Sequence, residues 1–192
     1  GALNMGEYAY DFVTENAHDG ATRNPRDLAR SAGGSSGGSS AAVAAGLVPF
    51  SLGTDTNGSI RVPSSFCGIW GRKPTEGRLS RAGSFPFVDS LDHIGPFSRN
   101  VKDSATLLEV MAGRDPMDST SAAAPVPHYA AQMDGNVRGM KIGLPVEYMK
   151  HATGDTADRI HAAVEKLRGM GCEVRDISLP STDYAIATYY II

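Results

Sequence analysis

Apolar and polar positions divide the chain into four zones. Residues 1–34 carry short apolar runs broken by turn signals such as Asp19-Gly20 and Asn24-Pro25. Residues 33–40 read Gly-Gly-Ser-Ser-Gly-Gly-Ser-Ser, by composition a flexible linker. Residues 41–47, Ala-Ala-Val-Ala-Ala-Gly-Leu, argue against a linker, because they form a good helix with a glycine stop. A Gly/Ser loop that opens a helix points backbone N–H groups at whatever lies above it. Residues 47–63 read as strand and turn, with Asn57-Gly58 a tight-turn signal and Pro63 closing the run. Further on, Asn100 caps a helix whose third residue is Asp103, and the stripe Leu107, Leu108, Val110, Met111 runs to Gly113. Residues 114–137 are polar and loop-like. Residues 140–144 predict a strand, residues 158–170 a helix with Ile160, Val164 and Leu167 on one face, and residues 172–179 a second strand after the Gly171 stop. Strand, helix, strand with short joins is a βαβ unit, which requires a parallel pair and places the chain in the α/β class.

Composition narrows the function. Of 192 residues, 41% are hydrophobic and 20% charged, enough apolar material for a core. A net charge of −3 shows no basic excess for gripping nucleic acid or an anionic membrane. The longest apolar stretch, residues 41–50, is too short to cross a bilayer, and no secretory signal opens the chain. Cys67 and Cys172 support neither a disulfide framework nor a metal knuckle, and a reducing cytoplasm is expected. The first residue is not methionine and the last four, Tyr-Tyr-Ile-Ile, are apolar, so a segment of a longer protein is expected.

Two serines draw attention. Ser35 lies in the Gly/Ser loop, and Ser59 follows Asp55-Thr56-Asn57-Gly58. An acyl-transfer nucleophile needs an exposed hydroxyl, a proton acceptor and N–H donors aimed at the developing oxyanion. A tight turn before Ser59 lets the N–H groups of Thr56, Asn57, Gly58 and Ser59 converge, and Gly58 permits close approach of a carbonyl. Ser35 could accept the proton and relay it to a lysine. No motif surrounds any of the five histidines. Singly, each loop also reads as a linker, an anion loop or a plain hairpin turn. A phosphate loop would end in Gly-Lys-Ser/Thr, which is absent.

Together, residues 33–63 resemble the amidase signature family. The likeness extends to Leu3-Asn4-Met5, Thr14-Glu15-Asn16, Thr22-Arg23-Asn24-Pro25, Lys73-Pro74-Thr75 and Ser90-Leu91-Asp92-His93-Ile94-Gly95-Pro96. The resemblance implies a mixed β-sheet flanked by helices, of which residues 1–192 are a fragment with N- and C-terminal parts missing. It implies amide hydrolysis or transfer by a Ser–cis-Ser–Lys triad. Ser59 would form the acyl-enzyme, and Ser35, after a cis peptide, would bridge. The N–H groups of residues 56–59 would form the oxyanion hole, Asp55 and Arg61 a supporting ion pair, and the backbone near Ala9 a pocket wall. The triad lysine falls upstream of the Gly/Ser loop, outside this chain, whereas Lys73 belongs to a structural motif. No metal or organic cofactor is implied.

Residues 112–121, 125–129, 138–145 and 179–192 resemble, within that family, the A subunits of glutamyl-tRNA(Gln)/aspartyl-tRNA(Asn) amidotransferases. This implies glutamine as the small amide substrate, partner amidotransferase subunits that use the ammonia on tRNA, and no grip on nucleic acid by this segment. Asn57, where the A subunits usually have glycine, and residues 84–90 look more like carboxybiuret-hydrolase-type amidases. A stand-alone amidase is therefore the alternative, and a non-catalytic remnant acting through subunit binding is a third reading. Arg72, Glu76 and Asp19 replace apolar or aromatic residues of the family, and Ala21 replaces a proline. A charge there is costly if buried. Either those sites are exposed or the sequence is degraded or recombined.

Overall fold

The computed structural model describes all of residues 1–192, in two compact units, Gly1–Met133 and Asp134–Ile192. The first unit opens with two small antiparallel ribbons. Strand β1 (Glu15–Asn16) pairs with β2 (Gly20–Ala21), and β3 (Arg23–Asn24) pairs with β4 (Asp27–Ser31), so the turns fall at Asp19-Gly20 and Asn24-Pro25. Helix α1 (Gly37–Ala44), strand β5 (Phe50–Asp55), helix α2 (Arg61–Cys67), β6 (Trp70–Gly71), β7 (His93–Ser98) and α3 (Val101–Met111) follow. Strands β5, β7 and β6 form an antiparallel sheet in that order, with Phe50 opposite Ser98 and Asp55 opposite His93. Helix α1 packs on β5 and β7, and α3 packs on β7 and β6.

The core of this unit is small. Val43 from α1, Ile60 before α2 and Phe97 from β7 are wholly buried together, with Val48 and Ile69 against them. Around it the usual polarity of a strand is reversed. On β5 the inward positions are Ser51, Gly53 and Asp55, while Phe50 and Leu52 are nearly half exposed. The reason is the partner surface. Helix α1 buries Gly37, Gly38, Ser39 and Ser40, small residues that let its backbone approach the strand closely. Hydroxyls at this contact are satisfied by carbonyls: Ser51 Oγ of β5 donates to the Ser39 carbonyl at 2.8 Å, and Ser40 Oγ of α1 to the Pro63 carbonyl at 2.8 Å. A Cβ on Gly53 would sit 2.6 Å from the Phe97 ring and 2.7 Å from Ser36 Oγ.

These facts correct two expectations. The helix expected from Ala41 begins four residues earlier, at Gly37, inside the Gly/Ser run, because small side chains are what that close contact requires. Pro63 does not end a strand-and-turn segment but sits in the first turn of α2, where a missing N–H costs no intrahelical bond. Asn100 caps α3 as expected, accepting from the Asp103 N–H at 2.8 Å. Of the predicted stripe, Leu108 is buried, but Val110 faces solvent at 79% exposure, since it is rotated away from the sheet side.

In the second unit, β8 (Lys141–Pro145) and β9 (Glu173–Ile177) pair in parallel. Between them come a short helix, α4 (Val146–Met149), and a long one, α5 (Asp155–Gly169), which packs on β9. The predicted βαβ unit is present, and α5 starts at Asp155, three residues before the expected start at 158. Val164 is buried, and Gly171 takes φ 93° at the stop. Helix α6 (Ala185–Ile191) closes the unit. The fold is α/β, with antiparallel pairing in one unit and parallel pairing in the other. No helix is long and apolar enough to cross a membrane.

Candidate active site

Strand β5 ends at Asp55, and the chain turns through residues 56–60 into α2. Asp55 shapes that turn. Its carboxylate is wholly buried and accepts the Gly58 N–H at 2.8 Å, the Ile60 N–H at 3.1 Å and the Arg61 N–H at 3.2 Å. The Arg61 guanidinium adds Nε at 3.0 Å and Nη2 at 2.8 Å, a bidentate fork. Burial pushes the Asp55 carboxyl up. Hydrogen bonds and charge from Arg61, with the Ile60 and Arg61 N–H groups, outweigh burial and hold it below the usual carboxylate value.

The loop so formed carries Ser59, buried at 6% exposure, whose hydroxyl makes no hydrogen bond within the chain. The N–H groups of Thr56, Asn57 and Ser59 are likewise without intrachain partners. Gly58 departs from the expected set. Its N–H is turned inward onto Asp55, so three donors of the expected four remain to face an oxyanion. Gly58 holds φ 138°, a conformation open to glycine. Asn57 is exposed beside it.

The Gly/Ser loop lies against this turn, with the Ser36 N–H donating to the Ser59 carbonyl at 3.3 Å. The Gly34–Ser35 peptide is cis. Ser35 is wholly buried, and its Oγ is the one buried side-chain nitrogen or oxygen without a hydrogen-bond partner. Such an orphan hydroxyl calls for an explanation. Lys73 does not supply the partner, since its Nζ donates to the Pro74 carbonyl at 2.9 Å.

Two residues to which the sequence motifs gave no role prove central to the geometry. Thr14 is wholly buried at φ 53°, unusual for a β-branched residue. Its hydroxyl donates to the Ser35 carbonyl at 3.1 Å and accepts the Gly37 N–H at 2.9 Å, so it spans the turn that presents Ser35. The Gly6 N–H also reaches the Ser35 carbonyl, at 2.9 Å. A Cβ on Gly34 would lie 2.6 Å from Asp11 Oδ1 and 2.7 Å from the Val13 nitrogen, and one on Gly37 would overlap the Thr14 hydroxyl. The second residue, Asp92, accepts the Thr56 hydroxyl at 2.5 Å. A buried hydroxyl and a loop carboxylate leave no periodic signal, so only their motifs marked them.

A cavity of about 520 Å³ opens beside these loops. Ala9, Thr54, Thr56, Phe85, Phe87 and Ile94 are among the residues lining it. Ala9 takes φ 61° at the end of a 3-10 turn, Glu7–Ala9. Glu76, Asp19 and Arg72, the charges that replace apolar or aromatic family residues, are all exposed, so none bears the cost of burial.

The chain belongs to the amidase family, whose profile matches residues 1–192. Among curated proteins it is 52% identical over 193 residues to the A subunit of the glutamyl-tRNA(Gln) amidotransferase of Lysinibacillus sphaericus, covering 100% of this chain and 40% of that protein. Among solved structures, the A subunit of the glutamyl-tRNA(Gln) amidotransferase of Thermotoga maritima superposes with a TM-score of 0.94 at 41% identity, covering 100% of this chain and 42% of the other. The native peptide amidase of Stenotrophomonas maltophilia superposes with a TM-score of 0.88 at 34% identity, covering 98% of this chain and 40% of that enzyme. The chain thus spans about 40% of the length of the relatives it matches.

Proposed function

We propose that this chain is the part of an amidase domain that carries its nucleophile, in a protein that hydrolyses glutamine to supply ammonia for tRNA-dependent amidation. The carrying observation is the buried, partnerless Ser35 hydroxyl on the loop next to Ser59. Ser59 Oγ attacks the amide carbonyl, and its proton passes to Ser35 Oγ. Ser35 hands its own proton to a lysine outside residues 1–192. The N–H groups of Thr56, Asn57 and Ser59 receive the oxyanion. The C–N bond then breaks as that proton returns through Ser35 to the amide nitrogen, ammonia leaves, and water hydrolyses the acyl-enzyme to the free acid and restores the Ser59 hydroxyl. Asp55 and Arg61 hold the loop from behind. Both compact units belong, in this reading, to one family domain. The protein works in the cytoplasm beside partner amidotransferase subunits, which take charge of the tRNA. The resemblance of residues 112–121 and 138–145 to A subunits, together with 52% identity to one of them, supports this choice.

A second reading is favoured by the cavity. Its lining is mainly apolar, with Phe85 and Phe87 on one wall, which suits an amide bearing an apolar group. Ammonia release from the complete domain separates the two. Glutaminase activity lost in Ser59→Ala supports the first reading. Release from simple or biuret-like amides alone supports the second. No release from any amide, even with partner subunits present, refutes both.

A further inference from the structure

Asp92 sits just before β7, in a motif that the reaction leaves without a task. Its two carboxylate oxygens serve different parts of the molecule. Oδ1 accepts the Thr56 hydroxyl at 2.5 Å, on the Ser59 loop. Oδ2 accepts the N–H groups of Phe87 at 2.7 Å and Val88 at 3.0 Å, on the segment that walls the cavity. The same segment is closed from both ends. The Asp92 N–H donates to the Val88 carbonyl at 2.9 Å, and Arg81 Nη1 donates to the Asp89 carbonyl at 2.5 Å. Tyr10 meets the Phe87 ring edge-on, with centroids 5.7 Å apart. Thr56, Phe87 and Asp92 all line the one cavity. A single carboxylate therefore fixes both the Phe87 wall of that cavity and Thr56, the first residue of the turn that leads to Ser59.

From this we infer that Asp92 is a positioning residue that couples the Phe87 wall of the substrate cavity to the aim of the Thr56 N–H. The inference rests on the amidase reading above. Rigid placement matters because a donor misaimed by a fraction of an ångström loses most of its effect on an oxyanion. The anchor of the Thr56 side chain is Asp92. Substrates that press on the wall are thereby sensed at the reacting carbonyl, while small amides that do not reach it are not.

The test is steady-state ammonia release by the complete enzyme, with a small amide such as propionamide and an aromatic amide such as phenylacetamide. Thr56→Val removes the Thr56–Asp92 bond alone and is expected to lower kcat roughly tenfold on both substrates with KM within about twofold, well short of the ~100-fold loss for deleting an oxyanion donor. Thr56→Ser, which keeps the hydroxyl, recovers most of that loss. Asp92→Asn weakens both arms, so it lowers kcat similarly and also raises KM for the aromatic amide alone. The double variant Thr56→Val/Asp92→Asn has a kcat no lower than the worse single variant, as expected when two residues act through one bond. An active wild type whose kcat is unchanged by Thr56→Val, or a double variant in which the two losses multiply, overturns the coupling. A wild type that releases ammonia from no amide overturns the amidase reading, and the coupling with it. Should Asp92→Asn fail to fold, the Thr56→Val and Thr56→Ser pair decides by itself.

Discussion

Replacing Asp55 by asparagine probes how the Ser59 loop is held. The wild-type carboxylate meets five donors and is wholly buried. Asparagine keeps one oxygen. Its amide nitrogen must face either Gly58 and Arg61 Nη2, or Ile60, the Arg61 N–H and Nε, and in each case buried donors lose their acceptor. An orphaned buried N–H costs about 1–3 kcal/mol. The ion pair adds little, roughly 1 kcal/mol at most, because the Arg61 side chain is 54% exposed and solvent screens it. A net loss of about 3 kcal/mol follows, and for a protein of this size each kcal/mol lowers Tm by roughly 2–4 °C. Calorimetry at pH 7 should therefore show a Tm roughly 6–12 °C below wild type, by the same scaling. The pH dependence has a definite sign. The folded carboxyl is held below its ordinary value, so its contribution is complete above the unfolded value near ~4 and is lost as pH falls through the folded value. The gap between wild type and variant should be widest at neutral pH and narrow below about pH 4. A gap under about 2 °C at pH 7, or one that does not narrow in acid, would refute the role given to Asp55.

Three further outcomes are expected. Thr14→Val strips the hydroxyl that spans the Ser35 turn, strands the Gly37 N–H and should cost about 2 kcal/mol, whereas Thr14→Ser should restore most of it, as read by thermal melting. Asn100→Ala removes the cap of α3 and should cost about 1 kcal/mol in chemical denaturation without altering ammonia release. Cys67 is wholly buried, burial raises its thiol pKa, and its Sγ–H faces the Ala32 carbonyl at 3.4 Å. It should resist a disulfide reagent at about pH 8 in the native state and react fully in denaturant.

Much of the fold is legible along the chain because local rules govern it. The βαβ unit at 141–177 shows in the change of period and the Gly171 stop, and α3 shows in its Asn100 cap. Misreadings occur where tertiary contact overrules local pattern. Pro63 looks like a terminator but serves the first turn of α2. Val110 looks like core but points outward. On β5 the apolar residues face outward, because Ser51 and Gly53 are required against the narrow face of α1 and Asp55 against the Ser59 loop.

The candidate site divides in the same way. Residue types and order determined that Ser35 and Ser59 stand on glycine-rich turns, that Asp55 and Arg61 flank the second turn, and that the chain belongs with amidases. Those are properties of short motifs, which a sequence displays directly. Tertiary structure decided which groups are free to act. It turned the Gly58 N–H onto Asp55, left the Ser35 hydroxyl buried without a partner, and brought Thr14 and Asp92 to the two loops from 21 and 36 residues away. Hydrogen bonding across such separations depends on direction as well as proximity, and direction is set only when the helices and strands have packed.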